Sequence, residues 1–128
     1  MKMANELAER SHHSKHKVGC VITSVDYSQV HSVGYNGYYS GGKNKLKDKA
    51  PGKSEFVHAE LNALIKNKGS RSEPKILFTT LSPCYLCTQC IINSKEIVQV
   101  YYQKEYRDKR GIKLLNKLGI KCAQIKSR

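Results

Sequence analysis

His58-Ala59-Glu60 and Pro83-Cys84-Tyr85-Leu86-Cys87 bring one imidazole, two thiols and one carboxylate into two short segments about two dozen residues apart. Imidazole and thiolate are ligands that suit zinc. A structural zinc site fills all four tetrahedral positions with protein, whereas a catalytic one uses three and leaves the fourth to water. His58, Cys84 and Cys87 make three, so the pattern points to one catalytic zinc ion. Zinc held in this way brings the pKa of its water from ~15.7 toward ~7. Glu60 is then the group that carries protons, first from the water and later to the departing atom. A Cys-x-x-Cys pair alone also occurs in redox motifs and structural zinc knuckles. The order of the residues, with Pro83 directly before the first cysteine, is the more specific signal. Cys90 continues the series at intervals of three and opens a three-thiolate or iron–sulfur alternative. Beside Ile91 and a turn further along, it is expected to be a core thiol, as are Cys20 and Cys122 within their apolar runs.

Residues two apart do not share a helix face, so His58 and Glu60 converge only where a helix points its N-terminal end at the metal. Both are therefore placed on the first turn of a helix that runs to about Lys68, with Leu61, Leu64 and Ile65 apolar and Gly69 as its stop. The cysteines ask for the same geometry, because Pro83 favours a helix start and a positive helix end stabilises thiolates; Ser82 is the expected cap. Around these two helices, the patterns predict a helix over 3–13 and strands over 18–23 and 29–34, joined by a turn at Asp26-Tyr27-Ser28. Residues 37–55, rich in Gly, Lys and Ser, read as a long loop. Strands follow at 76–80, 97–102 and 120–125, with helices at 84–94 and 109–118 between them. Such alternation implies an α/β fold with a sheet covered on both faces, and a site where loops and helix ends meet.

A chain of 128 residues buries a core without disulfides and leaves little room for a second domain, so a single domain over residues 1–128 is expected. Five cysteines, two of them committed to metal, do not read as a secreted disulfide framework. No apolar stretch has membrane-spanning length, and Met1-Lys2-Met3-Ala4-Asn5-Glu6 carries no hydrophobic signal core. The expected compartment is the cytoplasm, with no membrane partner.

Lys17-Val18-Gly19-Cys20-Val21-Ile22, Gly34-Tyr35-Asn36-Gly37, His58-Ala59-Glu60-Leu61-Asn62-Ala63, Thr80-Leu81-Ser82-Pro83-Cys84 with Cys87, and Gly111-Ile112 through Leu118-Gly119-Ile120 together carry a resemblance across nearly the whole chain. The sequence resembles the deoxycytidylate (dCMP) deaminases of the cytidine deaminase-like superfamily, whose zinc signature has this order. The zinc motifs identify only the superfamily; Gly-Tyr-Asn-Gly and Asn62 point to the nucleotide branch. The resemblance implies a three-layer α/β/α sandwich with a mixed five-stranded sheet, hydrolysis of dCMP to dUMP, and a homo-oligomer, commonly a hexamer. It assigns zinc to His58, Cys84 and Cys87, proton transfer to Glu60, the substrate nucleoside to Asn36 and the base to the backbone around Ala59.

An amide such as Asn36 offers a donor and an acceptor to a sugar hydroxyl, while a plain Asn-Gly turn is its bland alternative. For the phosphate, the helix-end cluster Lys66, Asn67 and Lys68 with Arg71 is the candidate, against a merely solvated polar face. Tyr102 and Tyr106 are expected to line the pocket, with Tyr102 equally suited to the core. Tyr39 stands where nucleotide-regulated members often carry a proline, so the resemblance does not extend triphosphate control to this chain. His12, His13, His16 and His31 form no evident ligand spacing.

The 23 basic and 10 acidic residues give a net charge of +13, which suits a polyanion. The competing reading is a polynucleotide deaminase acting on single-stranded DNA cytosine or transfer-RNA adenosine, contacted by Lys43, Lys45, Lys47, Lys49 and Lys53 and by Tyr35, Tyr38 and Tyr39. Basic residues are nevertheless spread through every segment, as in any lysine-rich protein. A third reading, a catalytically idle module that keeps zinc for stability, is opposed by Glu60.

Overall fold

The computed structural model describes residues 1–13, 16–39 and 56–126. Within them the order is α1 (Lys2–Ala8), β1 (Gly19–Ser24), β2 (Val30–Tyr35), α2 (Ala59–Lys66), β3 (Lys75–Leu81), α3 (Tyr85–Ser94), β4 (Ile97–Lys104), α4 (Arg110–Lys117) and β5 (Lys121–Gln124). The strands form one five-stranded sheet in the order β2-β1-β3-β4-β5. β1 is antiparallel to β2 and β3, whereas β3, β4 and β5 run parallel. Parallel neighbours need crossovers, which α3 and α4 supply.

The three-layer sandwich expected from the resemblance is the observed architecture. Consecutive residues of a strand face opposite sides, and Gly19 and Cys20 mark the two. The backbone of α1 lies against Gly19, with Ala8 N 2.7 Å from where a Cβ would stand. On the opposite side Gly34, the partner of Cys20, meets α2: a Cβ there would fall 2.5 Å from Ala59 O and 2.7 Å from Ala63 N. Only glycine allows the helix this close to the sheet. α3 packs on α2, and α4 on α3, so three helices cover that face. Between them and the sheet lies the core of Cys20, Ile22, Ala63, Leu77, Ile91, Val100, Tyr102, Leu115 and Cys122. Fully buried Ile22, Leu77, Ile91 and Leu115 each contribute ~1.5–3 kcal/mol.

The β1–β2 hairpin turns where expected. Ser24 N–H donates to Gln29 O at 3.0 Å, and Asp26 Oδ1 accepts from Ser28 N–H at 3.0 Å and from the Ser24 and Ser28 hydroxyls at 2.8 and 2.7 Å. Two helices are shorter than the sequence suggests. α1 stops at Ala8 because Arg10 and Ser11 donate to Leu7 O and Ala8 O in a tightened last turn, and the polar run beyond has no apolar face to bury. α2 stops at Lys66 rather than near Gly69 because Asn67 is extended, its amide committed to Glu96 Oε2 at 3.0 Å and to Gly69 N–H at 3.2 Å. Glu96 in turn faces Lys75, a fully buried lysine whose Nζ lies 3.2 Å from Glu96 Oε1 and 3.1 Å from Glu73 O. The expected lysine contact at Lys43, Lys45, Lys47, Lys49 and Lys53 lies outside the described residues.

Candidate active site

Two helix starts converge on one point. His58 is the N-cap residue of α2 and Cys84 that of α3, both with extended backbone, while Glu60 and Cys87 sit in the first turns. His58 Nδ1 lies 3.1 Å from Cys87 Sγ and 3.4 Å from Cys84 Sγ, and the three donor atoms all lie within 4.8 Å of one another. Zinc at ~2.3 Å from sulfur and ~2.0 Å from nitrogen spaces tetrahedral ligands by roughly 3.5 Å, so the triangle fits the ion. The thiols are already unequal. Cys84 is held down at about 4 by hydrogen bonds from Cys87 and His58, whereas Cys87 is pushed well above the thiol range by sharing its proton with Cys84 and by burial. His58 is raised, chiefly by its hydrogen bond to Cys84. One negative charge is stable here without a cation; a dication lets both sulfurs ionise. Among the described residues these are the only three His, Cys, Asp or Glu side chains placed to hold a metal ion, and Cys90 is not one of them.

Beside the triangle, Glu60 is only 4% exposed, and its Oε1 lies 3.2 Å from Thr79 Oγ1 on β3. Burial raises its pKa, while hydrogen bonding from Cys87 and the charge of His58 oppose the rise. A carboxyl poised upward in this way is suited to taking and returning a proton.

His58, Cys84 and Glu60 open into a cavity of about 610 Å³, while Cys87 is fully buried. Asn36, Ala59, Leu61, Ser82, Tyr85 and Tyr106 contribute to its wall, with His13, His16, Arg107, Asp108 and Arg110 among the charged and titratable groups. Asn36 is brought in, but its amide is largely occupied: Oδ1 accepts from Val18 N–H at 2.9 Å and Nδ2 donates to His16 O at 2.7 Å. It therefore fastens the 16–18 segment at the cavity wall. Lys66 and Asn67 are not brought in. They stand at the far end of α2, and Asn67 braces Glu96. Tyr102 packs in the core at 5% exposure and lines no part of the cavity. Ser82 does not cap α3; Cys84 does, its sulfur accepting from Cys87 N–H at 3.5 Å.

Sequence reasoning placed Tyr106 of the β4–α4 turn at the pocket but missed the charged residues beside it, Arg107, Asp108 and Arg110. Arg110 pairs with Asp108 through both carboxylate oxygens, at 3.1 and 2.8 Å, and stacks 4.5 Å over the Tyr85 ring. Arg107 makes no ion pair among the described residues; its guanidinium donates to Tyr106 Oη at 3.2 Å. The signal was available in the topology. β4 is parallel to β3, so the turn after β4 must lie beside the cysteine turn after β3, at the carboxyl edge where α/β sheets bind ligands.

The chain is similar to known proteins in both sequence and fold. The sequence model of the cytidine and deoxycytidylate deaminase zinc-binding region matches residues 1–104. A probable deoxycytidylate deaminase of Caenorhabditis elegans is 32% identical over 92% of this chain and 61% of its own length. The chain therefore spans less than two thirds of that relative. The deoxycytidylate deaminase of Mycobacterium phage D29 is 32% identical over 80% of this chain and 90% of its own. The crystal structure of dCMP deaminase from the cyanophage S-TIM5, in complex with dCMP and dUMP, superposes with a TM-score of 0.84 at 30% identity, covering 97% of this chain and 92% of that one. Joined to a donor triangle that fits one zinc ion, these matches establish that the chain belongs to the deoxycytidylate deaminase family of zinc-binding deaminases.

Proposed function

We propose that this protein hydrolyses dCMP to dUMP and ammonia. The observation that carries the reading is the placing of the His58, Cys84 and Cys87 donor triangle and a buried carboxyl, Glu60, at one cavity that Arg107 and Arg110 also line. Zinc, when bound by these three side chains, supplies Lewis-acid activation of water at neutral pH. Glu60 takes the proton released as water adds to C4 of the cytosine, delivers it to N3, and returns one to the exocyclic nitrogen so that it leaves as ammonia. The backbone at Ala59 faces the base, and Asn36 holds the wall on the sugar side. Arg107 is the cation for the 5′-phosphate, because Arg110 is already neutralised by Asp108. It replaces Lys66 and Asn67, which do not line the cavity. Cytoplasmic location and a homo-oligomer, hexameric as the resemblance implies, belong to the same proposal. Light scattering of the zinc-loaded protein tests the assembly.

Incubation with dCMP, deoxycytidine, CMP and single-stranded oligonucleotides, followed by uracil and ammonia release, tests the reaction. Turnover of dCMP with little on oligonucleotides is expected. Turnover in oligonucleotides alone, steeply weakened by salt, would replace this reading with a polynucleotide deaminase.

A further inference from the structure

We infer that Ser82 is a positioning residue for nucleotide recognition: its hydroxyl anchors the β4–α4 turn to the metal-ligand turn and so sets where Arg107 stands. The inference rests on the reading of the cavity as a nucleotide site. Ser82 lies two residues before Cys84 and is 2% exposed, yet its side chain does not serve α3. Its N–H donates to Lys104 O at 2.8 Å, continuing the β3–β4 ladder beyond the pair Leu81 and Lys104. Its hydroxyl then reaches past the strand end and accepts from Tyr106 N–H at 2.6 Å. One residue thus holds both the last rung of β4 and the first residues of the turn that follows.

The turn needs such an anchor. After Lys104 the chain leaves the sheet, and the next regular hydrogen bonds come only in α4. Arg107 sits in between and is the neighbour of the anchored residue. The Tyr106 N–H is partly buried, and a donor left there without a partner is costly, so removing the hydroxyl lets the turn shift to find one. Such a shift moves Arg107 relative to the metal site while leaving His58, Cys84, Cys87 and Glu60 in their helices. A nucleoside, lacking the phosphate, makes no contact that depends on Arg107 and loses less from that movement than the nucleotide does.

The test compares kcat/KM for dCMP and for deoxycytidine in the wild type, Ser82→Ala, Ser82→Thr and Arg107→Gln, each with zinc content measured. Ser82→Ala is expected to lower the preference for nucleotide about five- to ten-fold, chiefly through KM for dCMP, and Ser82→Thr, which keeps the acceptor, to restore most of it. Arg107→Gln lowers the same preference at least as far. If Arg107→Gln lowers it and Ser82→Ala does not, the anchoring role is overturned and the phosphate site stands. If Arg107→Gln changes nothing, the phosphate site itself is wrong and the inference goes with it. Should Ser82→Ala not fold, hydrogen exchange of the Tyr106 amide in the wild-type protein decides. Protection supports the anchor; exchange at the rate of a free loop overturns it.

Discussion

Burying a carboxyl to 4% exposure has a free-energy cost, and the partners around Glu60 offset only part of it. Glu60→Gln keeps the shape and the Thr79 contact but cannot carry a proton. Turnover of dCMP is expected to fall by ~10²–10⁴ with zinc stoichiometry intact, as read by metal analysis beside the activity assay. Preserved turnover would revive the idle-module reading. Asp26 gives the pH counterpart far from the site. Hydrogen bonds from Ser28, then Ser24, hold its carboxyl at about 2, below its ordinary value of 3.8. The depressed folded value means that the hairpin gains stability above about pH 4 and loses it as the pH falls toward 2. In an acid titration followed by the Ser28 and Gln29 amide resonances, Asp26→Asn is expected to flatten that step. The metal ligands and Glu60 were readable from residue types, order and spacing together, because few side chains bind zinc and the pattern with Pro83 before Cys84 is strict. Asn36 was less so: a sequence names an amide but not which backbone groups will occupy it.

The elements follow the same logic. Helix starts at His58 and Cys84 were legible because Pro83 favours a helix start and because His58 and Glu60, two residues apart, converge from a helix only at its N-terminal end. Helix ends were not, since a distant Glu96 stops α2 and no local signal announces it. The packing of α4 on α3 was equally hidden. Gly111, at its first turn, lies where a Cβ would press on Thr88 and stand 2.6 Å from Pro83 O. Gly111→Ala is therefore expected to cost about 1–3 kcal/mol in denaturant unfolding and to raise KM for dCMP by shifting α4 and with it the turn before it that carries Arg107.

For the whole molecule, alternation predicted an α/β sandwich, and the sheet order follows from it once parallel crossovers are counted. What the pattern could not give is which strand ends become neighbours at the ligand edge, since that depends on pairing across the chain. It is why the sequence points for the phosphate to Lys66 and Asn67, which stand at the far end of α2. The metal joins two of these elements, so a chelator is expected to lower Tm by several degrees and added zinc to restore it, measured by thermal melts at fixed protein concentration.

α2 is moored at both ends by different chemistry: the metal donors at His58, and the Asn67–Glu96–Lys75 chain just past its last residue, Lys66. Chelation cuts only the first mooring. The helix should then fray from one side, the Asn62 amide, bonded to His58 O at 3.0 Å, losing its protection while the amides next to Lys66 keep theirs. Loss of the ion would thus be written as a gradient along eight residues, and the apoprotein would retain one half of its site already in place for the ion's return.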